Sequence, residues 1–282
     1  MSASEHLRDY YNRYGEREWQ RLERNVHGVV EYEVTLHILR KHLPENAHIL
    51  DAGGGPGRYA IELARMGHSV CLVDLSDEQL RIARERIDEA GVQDRITAIR
   101  RLDICDLSEL SDASFDAVLC LGGALSYVRD GRFRALRELI RVAKPDCPLI
   151  LSVMSLLGNF HLIATFDEEN FLSDIRDHVH WDPDTPFPEV LDSVADSPQW
   201  HAPMTLYTST YLDMLLRENG CSVIEMAASH TITSSYVGGL DKVQASPEAL
   251  EMLLRLERAF CTKPGLVDMG QRLIAVAVTP GS

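Results

Sequence analysis

The chain has 282 residues, 45 % hydrophobic and 25 % charged, a soluble globular composition long enough to bury a core without disulfide or metal support. Its 43 Asp and Glu outweigh its 28 Lys and Arg, leaving a formal charge of -15. That balance excludes a bulk positive field for nucleic acid or an anionic membrane, and it disfavours nucleic acid as a partner.

From the N-terminus, residues 4–24 and 29–42 read as helices rich in aromatics and Arg. They form an arm, residues 1–44, that precedes the first strand. Positions 1–20 carry charge and no apolar run, so no secretory signal is expected and the cytoplasm is the expected compartment. Apolar runs then alternate with helical periodicity, the pattern of a doubly wound parallel sheet. Strands are expected at 48–51, 69–73, 95–100, 115–121 and 149–154. The helices between them end or begin on clear signals: Gly67, a capping box at Ser76 and Gln79, and Gly91. The stretch 45–154 is thus one Rossmann-like half.

The pattern breaks at 155–206, which holds five prolines and much acid and reads as a lid or substrate insertion. The longest stretch free of Asp, Glu, Lys and Arg, residues 147–166, contains Pro148, Gly158 and Asn159, and reads as a buried strand plus a loop rather than a membrane span. Residues 207–282 return to the same sheet, with a helix at 207–219, strands at 222–226 and 272–278, and a helix begun by Ser246 and Pro247. The last two strands should pair antiparallel at the sheet edge. The expectation is an α/β, mostly parallel seven-stranded sheet with an antiparallel edge strand, a helical arm and a lid. The six cysteines show neither Cys-x-x-Cys pairing nor metal spacing, so reduced thiols and no metal centre are expected.

The chemistry concentrates in Asp51-Ala52-Gly53-Gly54-Gly55-Pro56-Gly57. A strand entering a glycine turn and then a helix places backbone N–H groups at the carboxyl edge of the sheet, where open α/β sheets bind ligands. Asp74 ends the next strand, placed for both hydroxyls of a ribose. Gly55-x-Gly57-x-x-Ala60 also fits the dinucleotide pattern, so a nicotinamide-dependent reductase stands as an alternative. Against it, Asp51 would face a diphosphate, whereas it suits an ammonium or sulfonium.

The order Ile49-Leu50-Asp51-x-Gly53-x-Gly55-x-Gly57, then Val73-Asp74-Leu75-Ser76, Asp103-Ile104 and Phe115-Asp116-Ala117-Val118 resembles the class I S-adenosylmethionine-dependent methyltransferases. Lys144-Pro145-Asp146-Cys147 stands where that family has a Pro-Gly-Gly turn. The resemblance implies S-adenosyl-L-methionine as cofactor and S-adenosyl-L-homocysteine as product. It implies that Gly53 and Gly55 lie against the methionine part, with Asp51 near its ammonium. Asp74 would take the ribose hydroxyls and Leu75 would pack on the adenine. Asp103 would accept from the adenine amine (Asp106 is the alternative), Ile104 would supply a backbone contact, and Leu121 would offer a carbonyl to the ammonium.

Leu121-Gly122-Gly123-Ala124 lacks the Pro-Pro run of adenine- and cytosine-amino methyltransferases, and no Pro-Cys pair sits there. The acceptor is expected between the arm and the lid, with Tyr127, Trp200, Met204 and Tyr207 as candidate contacts and His201 as the candidate base. Tyr11 and Arg24 could close over the cofactor or grip an acidic acceptor. The reading is methyl transfer to oxygen or nitrogen of a small metabolite or natural product. The runner-up is carboxyl methylation of a peptide or a modified tRNA base, and a cofactor-binding module without catalysis is the alternative outside enzymes. Oligomeric state is left open.

Overall fold

The computed structural model describes residues 3–166, 190–192, 204–235 and 240–281. The arm is three helices: α1 (Ala3–Tyr14), α2 (Glu16–Arg21) and α3 (Val26–His42). The sheet begins with β1 (His48–Ala52), α4 (Arg58–Arg65), β2 (Ser69–Asp74), α5 (Asp77–Ala90) and β3 (Ile96–Arg101). It continues through β4 (Ala117–Cys120), the short α6 (Ala124–Tyr127), α7 (Arg132–Val142) and β5 (Pro148–Met154). After α8 (Leu156–Phe166) come β6 (Val190–Asp192), β7 (Thr205–Tyr207), α9 (Ser209–Glu218) and β8 (Ser222–Ser229). The short α10 (Asp241–Gln244), α11 (Pro247–Phe260) and β9 (Arg272–Val278) complete the chain.

Seven strands form one sheet in the order β3-β2-β1-β4-β5-β9-β8. The antiparallel strand is β9, which sits between β5 and β8 and pairs antiparallel with both. Because β9 runs against its neighbours, its first residue lies at the carboxyl edge: Arg272 is opposite Met154. The strand order reverses between β1 and β4, so a crevice opens there above the carboxyl ends.

Successive strand residues point to opposite faces, and the core divides accordingly. Ile49, Leu72, Leu119 and Ile150 pack with α3, α4 and α5 through Leu39, Leu63 and Leu80. Leu50, Val73, Val118 and Leu149 pack with α7 and α9 through Leu136, Leu139 and Leu212. Near-continuous burial of β1, β2 and β4 explains why these strands read as apolar runs rather than alternating ones.

Two expectations in the lid region change. The helix expected from residue 207 starts at Ser209, because residues 205–207 instead pair antiparallel with β6. The Thr208 side chain then caps α9 by accepting from the Tyr211 N–H at 3.2 Å. The irregular stretch expected from 155 opens with the helix α8. Among the described residues, no helix is long and apolar enough to cross a membrane.

Candidate cofactor and acceptor site

The arm closes the crevice. Trp19 on α2 lies under the Arg58 guanidinium at 3.9 Å from ring centroid to Cζ, and Arg58 also donates to the Trp19 carbonyl at 2.8 Å. On α1, the Asn12 side-chain oxygen accepts from Ser76 Oγ at 2.7 Å and from the Glu78 N–H at 3.2 Å. Gln79 Nε2 donates to the carbonyls of Tyr11 and Gly15. Ser76 caps α5 as expected, accepting from the Gln79 N–H at 3.2 Å. The Gln79 side chain, however, fastens the arm rather than returning to the cap. A cavity of about 340 Å³ lies beneath.

Asp51, Gly53, Gly55, Asp74, Leu75, Asp103, Ile104, Leu121, Tyr11 and Tyr127 all line this cavity. Asp51 is 1 % exposed, and neither carboxylate oxygen has a hydrogen-bond partner among the described residues. A buried carboxylate without partners is costly and calls for a cation. Burial, reinforced by the neighbouring Asp74 charge, pushes its pKa from 3.8 up to about 7. The turn leaves no room beside it: a Cβ on Gly54 would lie 2.4 Å from Asp51 Oδ2 and 2.3 Å from Leu72 Cδ1. Gly53 has φ +74°, open to glycine, and a Cβ there would meet Ala124 Cβ at 2.7 Å.

Asp74 accepts from the Gly55 N–H at 2.9 Å and from the Ser76 N–H at 2.8 Å. Each oxygen keeps a lone pair for a hydroxyl. Burial raises its pKa to about 6 against the pull of these backbone donors. Asp103 accepts from the Cys105 N–H at 2.8 Å and from Ser4 Oγ at 2.7 Å. Asp106, the alternative, is turned outward towards Arg134 at 3.6 Å and does not line the cavity. An orphaned carboxylate, a ribose-ready carboxylate and a glycine bend free of side chains fit an ammonium-bearing nucleoside. Two carboxylates facing one cavity fit a diphosphate poorly, which argues against the reductase alternative.

The acceptor-side expectations fare differently. Tyr127 is buried and packs edge-on against Tyr11, ring centroids 6.0 Å apart. Met204 is buried in the cluster of Tyr127, Met154, Leu156 and Leu206, behind the cavity wall rather than in it. Tyr207 is fully buried in the main core, because β7 turns its side chain inward. Arg24 is exposed and outside the cavity. Its place is taken by Arg21, one helical turn earlier, which lines it. Trp200 and His201 lie outside the described residues. Among the described residues, no group of three His, Cys, Asp or Glu side chains could hold a metal ion.

Sequence reading missed the charges around Arg21. Arg21 Nε meets Glu18 at 2.8 Å and its Nη1 meets Glu31 at 2.7 Å. Arg272 Nε meets the same Glu31 at 2.9 Å, and Arg272 Nη1 donates to the Gly122 carbonyl at 3.2 Å. The buried Glu31 carboxyl, held between two guanidiniums, drops to about 2 despite its burial. Nothing in the spacing of residues 21, 31 and 272 announces this meeting.

A family model described as a methyltransferase domain matches residues 49–146. The chain is 25 % identical over 271 residues to the tRNA 5-carboxymethoxyuridine methyltransferase of Escherichia coli K12, covering 93 % of this chain and 95 % of that one. It is 34 % identical over 112 residues to the ubiquinone biosynthesis O-methyltransferase of Xanthomonas axonopodis pv. citri, covering 40 % and 45 %. A chain from the complex of the Haloferax volcanii Trm112 methyltransferase activator with a methyltransferase shares the fold, with a TM-score of 0.62 at 18 % identity, covering 96 % and 97 %. Together with the carboxylate and glycine geometry of the crevice, these matches identify an enzyme that carries a class I S-adenosylmethionine-dependent methyltransferase domain and uses S-adenosyl-L-methionine as its cofactor.

Proposed function

We propose that the enzyme methylates a carboxylate oxygen, with a modified tRNA uridine as the first carrier to test. The carrying observation is the make-up of the cavity wall among the described residues: guanidiniums stand in it, Glu18 and Asp130 are paired with Arg21 and Arg132, and the other carboxylates, Asp51, Asp74 and Asp103, face the cofactor side in this reading. No His or Lys lines the cavity, and burial pushes both Tyr11 and Tyr127 above the ordinary phenol range, so each keeps its proton near neutrality. An acceptor that is already an anion needs no base, and guanidiniums stand ready: Arg8, Arg21 and Arg129 are in the lining. The match to the tRNA enzyme spans arm, sheet and lid regions alike, which favours a tRNA carrier.

Asp51 would hold the ammonium of the cofactor, Asp74 the ribose hydroxyls and Asp103 the adenine amine, with Leu75 and Ile104 on either side of the base. Held by these residues, S-adenosylmethionine would supply an electrophilic methyl group for the acceptor oxygen, its sulfur keeping the electron pair of the S–C bond given up. The residues of the chain contribute alignment and dryness. The arm covers the crevice, Tyr11 and Tyr127 wall the acceptor side, and Gly122 and Gly123 leave space at the end of β4. Such positioning is worth roughly 7–11 kcal/mol of barrier in favourable cases.

A free small acid is the second reading, favoured by the net charge of -15. Tritiated methyl transfer from S-adenosylmethionine into cell extract, sorted into RNA and small-molecule fractions, separates the carriers. Mild alkali then tests the bond, since a methyl ester releases volatile methanol while an ether or N-methyl group retains its label. Alkali-stable label in every fraction would refute the carboxylate reading.

A further inference from the structure

Of the guanidiniums in the cavity wall, Arg129 is the one whose charge the described residues leave unanswered. Arg21 is held by Glu18 and Glu31. Arg8 meets Asp9, its neighbour in sequence, at 3.5 Å. Arg129 lines the cavity and forms no ion pair among the described residues, since the adjacent Asp130 turns to Arg132 at 4.0 Å. Its Nε is closed off from solvent without a hydrogen-bond partner among those residues. A guanidinium has only donors to offer, and enclosing part of it unpaired is costly until an anion arrives.

The backbone points the same way. Arg129 has φ +47°, in the left-handed region that a residue with a Cβ enters only at a cost. Strain of this kind persists where the surroundings over-determine it, and it collects at ligand sites. Here the turn after α6 is fixed from several directions. The Gly131 N–H donates to the Val128 carbonyl at 2.8 Å, and Arg132 Nη1 donates to the Arg129 carbonyl at 3.1 Å. Gly131 lies so close to the loop after β3 that a Cβ there would meet Cys105 Sγ at 2.8 Å. Arg129 is thus carried on a rigid, strained mount, and no described side chain answers its charge.

Its place is the acceptor flank. On α1 the wall runs from the Ser4–Asp103 hydrogen bond to the Tyr11–Tyr127 ring contact. Residues 127–131 span the same interval, from Tyr127 to Gly131 beside Cys105. None of the roles given to Asp51, Asp74 and Asp103 uses Arg129. With Nε closed off, Nη1 and Nη2 remain, an end-on pair that suits two oxygens of one carboxylate or phosphate.

We infer that Arg129 is a specificity-determining residue of the acceptor site, taking an oxyanion of the acceptor end-on through Nη1 and Nη2. This rests on the anionic acceptor of the reading above. The oxyanion is the acceptor carboxylate itself or a phosphate of a nucleotide carrier.

The test uses Arg129→Gly and Arg129→Lys in the full chain. Glycine adopts φ +47° without strain, so that variant folds, while lysine keeps the charge and loses the fork. With the protein saturated in S-adenosylhomocysteine, acetate and uridine 5′-monophosphate are titrated in turn, with acetamide and uridine as neutral controls. The Nε–H resonance of Arg129, identified by its loss in both variants, is followed. A saturable shift with at least one anion and with neither control is expected; acetate alone identifies the carboxylate, the monophosphate alone a phosphate. By calorimetry, that anion should bind both variants at least about tenfold more weakly, with S-adenosylhomocysteine affinity unchanged. The KM for the labelled acceptor fraction should rise by a similar factor, with kcat less affected; a merely structural arginine would instead move kcat and S-adenosylhomocysteine affinity. No shift with either anion, or an unchanged KM in both variants, overturns this inference and leaves the carboxylate reading standing if the product is alkali-labile. An anion response with an alkali-stable product does the reverse: Arg129 stands and the carboxylate reading falls.

Discussion

Asp51 sets function against stability, and Asp51→Asn separates them. Ionising this carboxyl in the empty crevice is costly: its pKa stands at about 7 against 3.8 for the ordinary side chain. At about 1.4 kcal/mol per tenfold, the folded protein gives up about 4 kcal/mol of stability by carrying the charge there. The sign follows from the direction. A carboxyl whose pKa is raised on folding contributes stability below its unfolded pKa, and that contribution is lost as pH rises towards the folded value. The wild type should therefore lose stability between about pH 4 and about pH 7 and then level off. Asp51→Asn is neutral throughout. It should match the wild type below about pH 4 and exceed it at pH 8 by at most about 4 kcal/mol, on the order of ten degrees in melting temperature. Cofactor binding should move the other way. The amide oxygen can accept from an ammonium but brings no charge to it, so affinity for S-adenosylhomocysteine at pH 8 should fall. The release of protons that accompanies binding to the wild type near pH 6 should also diminish. Melting curves across pH and calorimetry in two buffers of different ionisation enthalpy measure both. A variant that melts with the wild type at every pH, or binds the nucleoside equally well, would refute the reasoning.

Asp74→Ala should weaken S-adenosylhomocysteine binding by roughly 1–3 kcal/mol, because the ribose hydroxyls lose a charged acceptor; calorimetry on the folded variant measures it. Gly54→Ala places a methyl group 2.3 Å from Leu72 Cδ1, and Leu72 is fully buried with nowhere to move. Denaturant unfolding should show a loss of roughly 1–3 kcal/mol, together with weaker nucleoside binding. His201→Ala should retain kcat within a small factor if the acceptor is a carboxylate. A collapse of turnover that imidazole restores would instead make His201 a base and return the acceptor to a hydroxyl or amine.

The half of the sheet that carries the glycine bend was legible because its signals are local. A strand that must end on an acid, a turn that only glycine can make and a helix begun by Ser76 each lie within a few residues of sequence. The last strand, Arg272–Val278, was equally plain as an apolar run. The acceptor side was not legible. Met204 and Tyr207 read as pocket residues because aromatic and thioether side chains cluster there. The pairing of β7 with β6 carries Tyr207 into the main core, and Met204, just before that strand, is buried against Tyr127 and Met154 instead. Glu257 shows the same limit: on a helix it looks like a solvated acid, yet it is fully buried, accepting from the N–H and hydroxyl of both Thr231 and Thr233.

By itself the sequence determined the fold class, the glycine bend at the carboxyl edge of the sheet and the two carboxylates that line the cavity there, since strand period, turn chemistry and capping act over a handful of neighbouring residues. Only the tertiary structure decided that Arg21 replaces Arg24, that Arg272 stands beside it, and that Glu31 joins the two. Those residues come from the arm, from α3 and from the first position of an antiparallel strand. Their meeting depends on how β9 inserts beside β5 and how the arm docks on Arg58, long-range packing that no local pattern encodes.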